Sequence, residues 1–428
     1  MAIKIIAAAD LHLGRRSTGV SGAMEVLASK AAWDRLVQWA IDNRVDAVAL
    51  AGDVVDQDNA FFESIGPLRR GFDQLGEAGI NVFLVAGNHD YNVLPQLVDA
   101  GKPYLHLLGK RGQWECATLT KNDETVQLVG WSFPSRFVST SPLPSLRRDL
   151  WDANHPVIGM MHGDLYDIIS PYCPIAPADL ATSGIKIWML GHIHKPAAVE
   201  VAGTSIYYTG SLQALSAKET GKHGFLLLSV EGSSVTVETL PFSTVRYDLL
   251  EIDITQSNTQ EALNAALVSA IHQDVRTKLS EMDGVQILSY DLRLIGEHER
   301  GTEVINWAAA SRSTLNLSVM PGITAMVRSV SSAIRPAVGD LVELSREPSP
   351  AGLLAGTILA IQNGTSTPLL TSLEAEWQRA RLQLQTSPVY LPLQLNSLQS
   401  ASESNARDYL LRECRRTLTE LLQQIKTS

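Results

Sequence analysis

Five runs of aliphatic and β-branched residues, Ile3 to Ala9, Val45 to Ala51, Ile80 to Ala86, Val157 to Met161 and Ile185 to Leu190, punctuate the first half of the chain. They are short and nearly continuous in apolar character, which reads as buried strands of the parallel type rather than as helices. Between the first three, Met24 to Asn43 and Phe61 to Ala78 carry helical spacing. Alternation of strand and helix implies right-handed crossovers and a layered α/β sandwich flanked by helices. Gln113 to Trp131 shifts to short alternating strands, joined to that sheet or forming a second one. Thr204 to Leu240, with turn signals at Gly210 and Glu231-Gly232, reads as antiparallel strands.

Near Phe242 the pattern changes. Tyr247 to Ile254 reads as a strand, Thr259 to Leu279 as an amphipathic helix, Val285 to Ile295 as a strand, Glu303 to Ala310 as a short helix and Thr314 to Met320 as a strand. That order suits a small α+β domain. Pro348 to Pro350 and Asn363 to Pro368 are rich in helix breakers, and Leu393 to Asn405 is rich in Ser, Gln and Asn, so a tethered C-terminal region is expected. In the last segment, Ala406 to Ile425, the residues Leu411, Cys414, Leu418, Leu421 and Ile425 form one apolar stripe on a helix. The stripe packs within its own domain or docks on a partner helix; spacing alone serves either. The expected division is a first domain at 1–243, an α+β cap at 244–340 and a linker with a helical docking region at 341–428.

The chain has 428 residues, 45% of them hydrophobic, so it is an ordinary globular protein of two or three domains. No apolar run reaches the roughly 20 residues of a membrane span, and Ile3 to Ala9 is too short for a secretory core, so a cytoplasmic protein is expected. Cys116, Cys173 and Cys414 are scattered without CxxC spacing, which argues against a disulfide framework or a zinc-thiolate site. A net charge of −10 argues against a protein that coats nucleic acid through its global field. It permits a locally basic cleft, and Arg15 and Arg16 stand beside the first candidate site block.

Each of the five runs is followed by potential metal ligands: Asp10 and His12, Asp53, Asn88, His162, then His192 and His194. In an open α/β sheet, ligands bind beyond the carboxyl ends of the strands, so blocks distant in sequence can meet there. Carboxylate, imidazole and amide oxygen are hard or borderline donors, suited to Mn²⁺, Zn²⁺ or Fe²⁺. Asp10-Leu11-His12 and His192-Ile193-His194 place two donors two positions apart, on one side of an extended backbone.

In order and in flanking residues, DLH, GD, GNHD, a lone His and GHIH resemble the pattern of the calcineurin-like metallophosphoesterases. More narrowly, Ala9-Asp10-Leu11-His12-Leu13-Gly14, Gly191-His192-Ile193-His194-Lys195-Pro196, and Tyr208-Thr209-Gly210-Ser211 leading into Lys218 to Phe225 are similar to the SbcD-type DNA repair exonucleases. The resemblance covers residues 1 to about 230. It implies two divalent ions, Mn²⁺ foremost, with Asp10, His12 and His194 on one, Asn88, His162 and His192 on the other, and Asp53 bridging. It also implies that His89 faces the scissile phosphate and that Asp90 fixes its tautomer; Arg15 and Arg16, which directly follow the first block, are expected to bind substrate. DNA is the implied substrate, with an SbcC-type coiled-coil ATPase as partner, a homodimer as assembly and no membrane. Gln57 and Asp90 depart from the GDxxDRG and GNHE of phosphoprotein phosphatases, and Asp56 stands where some archaeal nucleases carry a histidine. A phosphodiesterase for a small or cyclic nucleotide, and a non-catalytic scaffold for an ATPase, are the alternative readings.

Overall fold

Why the apolar runs are continuous is explained by where they lie. In the computed structural model, which describes residues 2–56, 64–98, 101–298, 300–336, 341–386 and 403–427, they are interior strands of two stacked sheets. Gln57, the start of the Phe61 to Ala78 helix and residues 393–402 lie outside the described residues.

The strands in chain order are β1 (Ile3–Ala8), β2 (Ala47–Ala51), β3 (Asn81–Val85), β4 (Leu105–Leu107), β5 (Glu115–Lys121), β6 (Glu124–Gly130), β7 (Val157–His162), the two-residue pair β8 (Asp164–Leu165) and β9 (Pro174–Ile175), β10 (Ile187–Gly191), β11 (Ala197–Val201), β12 (Thr204–Tyr208), β13 (Gly224–Glu231) and β14 (Ser234–Pro241). One sheet has the order β14-β13-β1-β2-β3-β4 and the other β11-β12-β10-β7-β6-β5. β1 to β4 run parallel, as do β6, β7, β10 and β12, while the outer hairpins are antiparallel. Thus Gln113 to Trp131 builds the edge of a second sheet. Thr204 to Leu240 is divided between the two sheets, which no local pattern encodes.

The period of two along β1 sorts its side chains. Ile3, Ile5 and Ala7 face the other sheet, meeting Leu128, Ile158, Met160 and Met189, while Ile6 and Ala8 share a second core with Trp33, Leu36, Phe72 and Leu75 of two helices. Those helices are Ser29–Asp42 and Ile65–Glu77. The single helix expected over Met24 to Asn43 is broken at Ala28, whose backbone is extended (φ −80°, ψ 133°) and bridges to Arg16. At the break, the Ser29 hydroxyl donates to the carbonyls of His12 and Arg15, both at 2.9 Å, tying the helix start to the first ligand block.

By its contacts the chain forms two units: Met1–Leu249 with Ile271–Asp291 and Leu315–Arg328, and Leu250–Ala270 with Leu292–Thr314 and Ser329–Ser428. The expected strand and helix order after Phe242 is present as β15 (Val245–Asp253), helix Gln260–Thr277, β16 (Ile287–Ile295), β17 (Glu297–His298), helix Gly301–Ser311, β18 (Leu317–Met320), β19 (Ile323–Ser332) and β20 (Arg335–Pro336).

The breaker-rich stretches near the C-terminus begin helices. Pro350 opens Pro350–Gln362, where the Ser349 hydroxyl accepts from the Gly352 amide at 3.1 Å, and Pro368 opens Pro368–Thr386. Proline at the first helical position loses an amide that has no partner there anyway. The final helix, Glu403–Thr427, packs Leu411, Cys414 and Leu418 against Ala351, Ala355 and Ile358. Most of the apolar stripe is therefore covered within the chain. Leu418 is fully buried, so Leu418→Ala should cost about 2–5 kcal/mol in that unit, read as a lowered unfolding midpoint by circular dichroism. No helix among the described residues is long and apolar enough to cross a membrane. The three cysteines are free thiols, two of them buried.

Candidate metal centre

All seven predicted ligands meet at the carboxyl ends of β1, β2, β3, β7 and β10. His162 is the last residue of β7 and lies in register with Gly191, the last of β10, so His162, His192 and His194 are brought together by strand pairing. His162 Nε2 lies 3.3 Å from Asp53 Oδ2 and 3.2 Å from Asn88 Oδ1. His12 Nε2 lies 3.0 Å from His194 Nε2, and Asp10 Oδ1 is 3.9 Å from the latter. The His192 ring packs edge-on to His162 at 5.3 Å between centroids.

The backbone that presents them is not extended. Asp10, His12, Asp53 and His192 have φ of 51°, 43°, 51° and 102°, in the left-handed region that side chains rarely adopt. This corrects the expectation that DxH and HxH project their side chains from extended strands. The strands end and the chain turns sharply, and each such residue costs on the order of 1–3 kcal/mol. Two glycines permit the crowding. A Cβ at Gly87 would stand 2.2 Å from Asp53 Oδ1, and one at Gly52, itself at φ 90°, would stand 2.6 Å from His162 Nδ1.

Burial and mutual charge set the protonation. Burial would raise the Asp53 carboxyl, but the charge and hydrogen bond of His162 outweigh it and hold the group well below its usual range. Burial likewise disfavours charge on His162, yet Asp53 and Asp10 raise it to about 9. On His192, burial and then the charge of His162 outweigh the raising effect of Asp53 and push it down to about 3, although Asp164 Oδ2 lies 3.9 Å from its Nε2. Asp10, wholly buried, is raised.

The donor set fits divalent cations. His162 Nδ1 donates to the Ala51 carbonyl at 3.0 Å, which turns Nε2 toward Asp53 and Asn88, where a bound cation would take the place of its proton. His194 Nδ1 donates to Glu219 at 3.1 Å, which leaves its Nε2 facing His12 Nε2 at 3.0 Å. His12 Nδ1 is buried with no hydrogen bond. Lone pairs and anionic oxygens aimed at one space are what a cation satisfies. Three groups of ligand atoms, Asp10/His12/His194, Asp10/Asp53/His162 and His12/Asp56/His89, each lie within 4.8 Å of one another.

Glu219 is the site residue that the pattern of strand-end blocks missed. Its buried carboxylate takes His194 on one oxygen, and on the other the Ser211 hydroxyl and the Leu215 amide, both at 2.8 Å. Burial raises this carboxyl, and the bond from His194 with the Leu215 amide lowers it further, to about 2. The signal was its place in the Lys218 to Phe225 stretch, read only as a family flank. Glu219→Ala should weaken metal binding about 10–100-fold in a calorimetric titration, because it frees the His194 ring.

Asp90 does not stand behind His89. Its Oδ2 accepts from the amides of Val54 (2.6 Å) and Val55 (3.3 Å) and its Oδ1 from Gly87 (2.8 Å), so it pins the loop after β2 to the loop after β3. Burial, reinforced by Asp53, raises it to about 7. His89 is fixed instead by its own amide, which donates to Asp53 Oδ1 at 2.9 Å, and its Nδ1 makes no hydrogen bond. Its side chain is 29% exposed and its Nε2 lies 4.0 Å from Asp53 Oδ2. Asp56 is buried, 3.5 Å from both His12 Nδ1 and Arg15 Nε. Arg15 is thus beside the ligands, and Arg16, exposed, is one residue further along.

A two-sheet α/β sandwich with oxygen and nitrogen donors converging at its strand ends is the construction of a metal-dependent phosphoesterase. Residues 3–196 match the calcineurin-like phosphoesterase family, so this stretch of the chain is similar to a domain of that family. It is 29% identical over 269 residues to the Bacillus subtilis uncharacterized metallophosphoesterase YhaO, covering 61% of this chain and 65% of that protein. It is also 29% identical over 267 residues to the DNA double-strand break repair protein Mre11 of Haloferax volcanii, covering 58% of this chain and 55% of that one. The chain therefore spans less than two-thirds of either relative. A dimetal phosphatase structure from Danio rerio aligns at 13% identity and a TM-score of 0.38, over 56% of this chain and 96% of that one.

Proposed function

We propose that the chain is a metal-dependent DNA nuclease, a phosphodiesterase of the exonuclease type that its sequence flanks resemble, acting in DNA repair or processing. The observation that carries this reading is the convergence of five of the strand-end residues in shared donor groups, with Asn88 and His192 against His162 and His89 part-exposed beside them. The similarity to the DNA double-strand break repair protein Mre11 adds DNA to it. Two divalent ions, Mn²⁺ foremost with Zn²⁺ or Fe²⁺ as alternatives, would supply an activated water and neutralise charge on the phosphodiester.

In this reading Asp10, His12 and His194 hold one ion, Asn88, His162 and His192 the other, and Asp53 both. Ala51 and Glu219 fix the imidazole tautomers, and Asp90 holds the Asp53 and Asn88 loops at their separation. His89 delivers a proton to the leaving oxygen or stabilises the charge that develops there. Arg15 and Arg16 take the phosphate backbone, a sequence-independent contact that weakens with salt. Residues 244–340 serve as a cap, and 341–428 as the region engaging an SbcC-type ATPase, through faces other than the stripe already packed by Leu411 and Leu418. A homodimer is the assembly this reading carries.

The test compares hydrolysis of single-stranded DNA, duplex DNA and bis-p-nitrophenyl phosphate by the full chain with added Mn²⁺. Cleavage of DNA is expected. Activity confined to the small ester would instead establish a phosphodiesterase of small or cyclic nucleotides, and none on any substrate would leave the scaffold reading.

A further inference from the structure

Two loops beside the centre carry one exposed and one part-buried aromatic ring, Phe137 and Tyr172. Phe137 is 56% exposed, and its ring lies 5.7 Å from that of Tyr172, which lies 5.2 Å from the ring of His192, both pairs tilted by 40°. The three rings form a row from solvent to a candidate metal ligand. The loops that carry them are fixed: the Val138 amide donates to Pro171 at 2.9 Å, the Cys173 amide to Val138 at 2.6 Å, and Cys173 is fully buried. At the start of the first loop, buried Phe133 packs edge-on to His162 at 5.8 Å. The first loop is thus anchored at its start beside a candidate ligand and at Val138 to the second. At the outer end, the Arg136 guanidinium lies 5.7 Å from the Phe137 ring centre.

From this row we infer a nucleobase-stacking subsite, in which Phe137 and Tyr172 take unpaired bases of the nucleotides next to the phosphodiester at the metal centre. The inference rests on the nuclease reading and adds what that reading lacks, a preference for frayed or single-stranded ends. A chain of net charge −10 attracts DNA poorly over distance, so affinity at its site must come largely from contact. Every base has a π-face, so stacking on aromatic rings supplies such affinity without sequence preference, and an adjacent arginine adds to it.

The experiment uses the full chain, with Phe137→Leu and Tyr172→Leu to keep apolar bulk and remove the ring, and Phe137→Trp to restore one. Oligonucleotides carry either a normal terminal nucleotide, an abasic one or 2-aminopurine. With Mn²⁺, the wild type should show a KM about tenfold lower for the normal than for the abasic strand. Both Leu variants should lose that discrimination through KM, and Phe137→Trp should regain it. Without added metal, 2-aminopurine fluorescence should be quenched by the wild type and by Phe137→Trp, and less by the Leu variants. Equal KM values for normal and abasic strands in the wild type, or equal losses on both strands in the variants, overturn the subsite while leaving the nuclease reading intact; the exposed rings would then be a protein-docking surface. Hydrolysis of bis-p-nitrophenyl phosphate with no cleavage of either strand overturns the nuclease reading, and this inference with it.

Discussion

Asp53→Asn is expected to strip metal from the protein and to abolish hydrolysis together. Asp53 is 2% exposed, its Oδ1 receives the His89 amide, and its Oδ2 faces both His162 and His12. Asparagine fits the same volume but offers one neutral acceptor in place of a carboxylate shared between neighbouring donors. Loss of an outer partner of a metal ligand costs about 10–100-fold in affinity, and loss of a shared anionic ligand should exceed that. Metal per chain, measured by atomic emission after dialysis against a weak chelator, should fall well below that of the wild type. Undiminished metal content would show that Asp53 is not a ligand.

His89→Ala should separate the two properties that Asp53→Asn loses together. The His89 backbone is held beside the ligands by the hydrogen bond its amide donates to Asp53, and its Nε2 stands 4.0 Å from that carboxylate with the ring partly exposed. Such a position suits proton delivery to a leaving oxygen, a contribution of about 10²–10⁴ in rate. Phosphodiester hydrolysis should fall by about that factor with metal content unchanged. Because His89 also shares a possible donor group with His12 and Asp56, parallel loss of metal would make it a ligand. Undiminished cleavage would remove it from the chemistry altogether.

The candidate ligands were legible because each follows a run of residues that only a buried strand accommodates, so strand ends could be located without the fold. Glu219 was not legible in that way. It lies in a loop, and what gives it a role is the contact with His194, 25 positions away. Asp90 was legible as a site residue and misread in its partner, since GNHD places it next to His89 in sequence while the turn sends it back to Val54 and Val55. Pro350 and Pro368 read as breaks because proline ends a helix from within. Whether it opens one instead depends on the cap before it and the apolar residues after it.

Hydrophobic periodicity and donor chemistry, both properties of the chain taken a few residues at a time, were enough to determine the strands, their ligand blocks and the class of ion those blocks suit. Only the tertiary structure decided which strands share a sheet, that four ligands sit on left-handed backbone, and which atoms face one another. Pairing register and close approach, such as Gly87 against Asp53, join positions tens of residues apart. No local pattern of polarity carries that information.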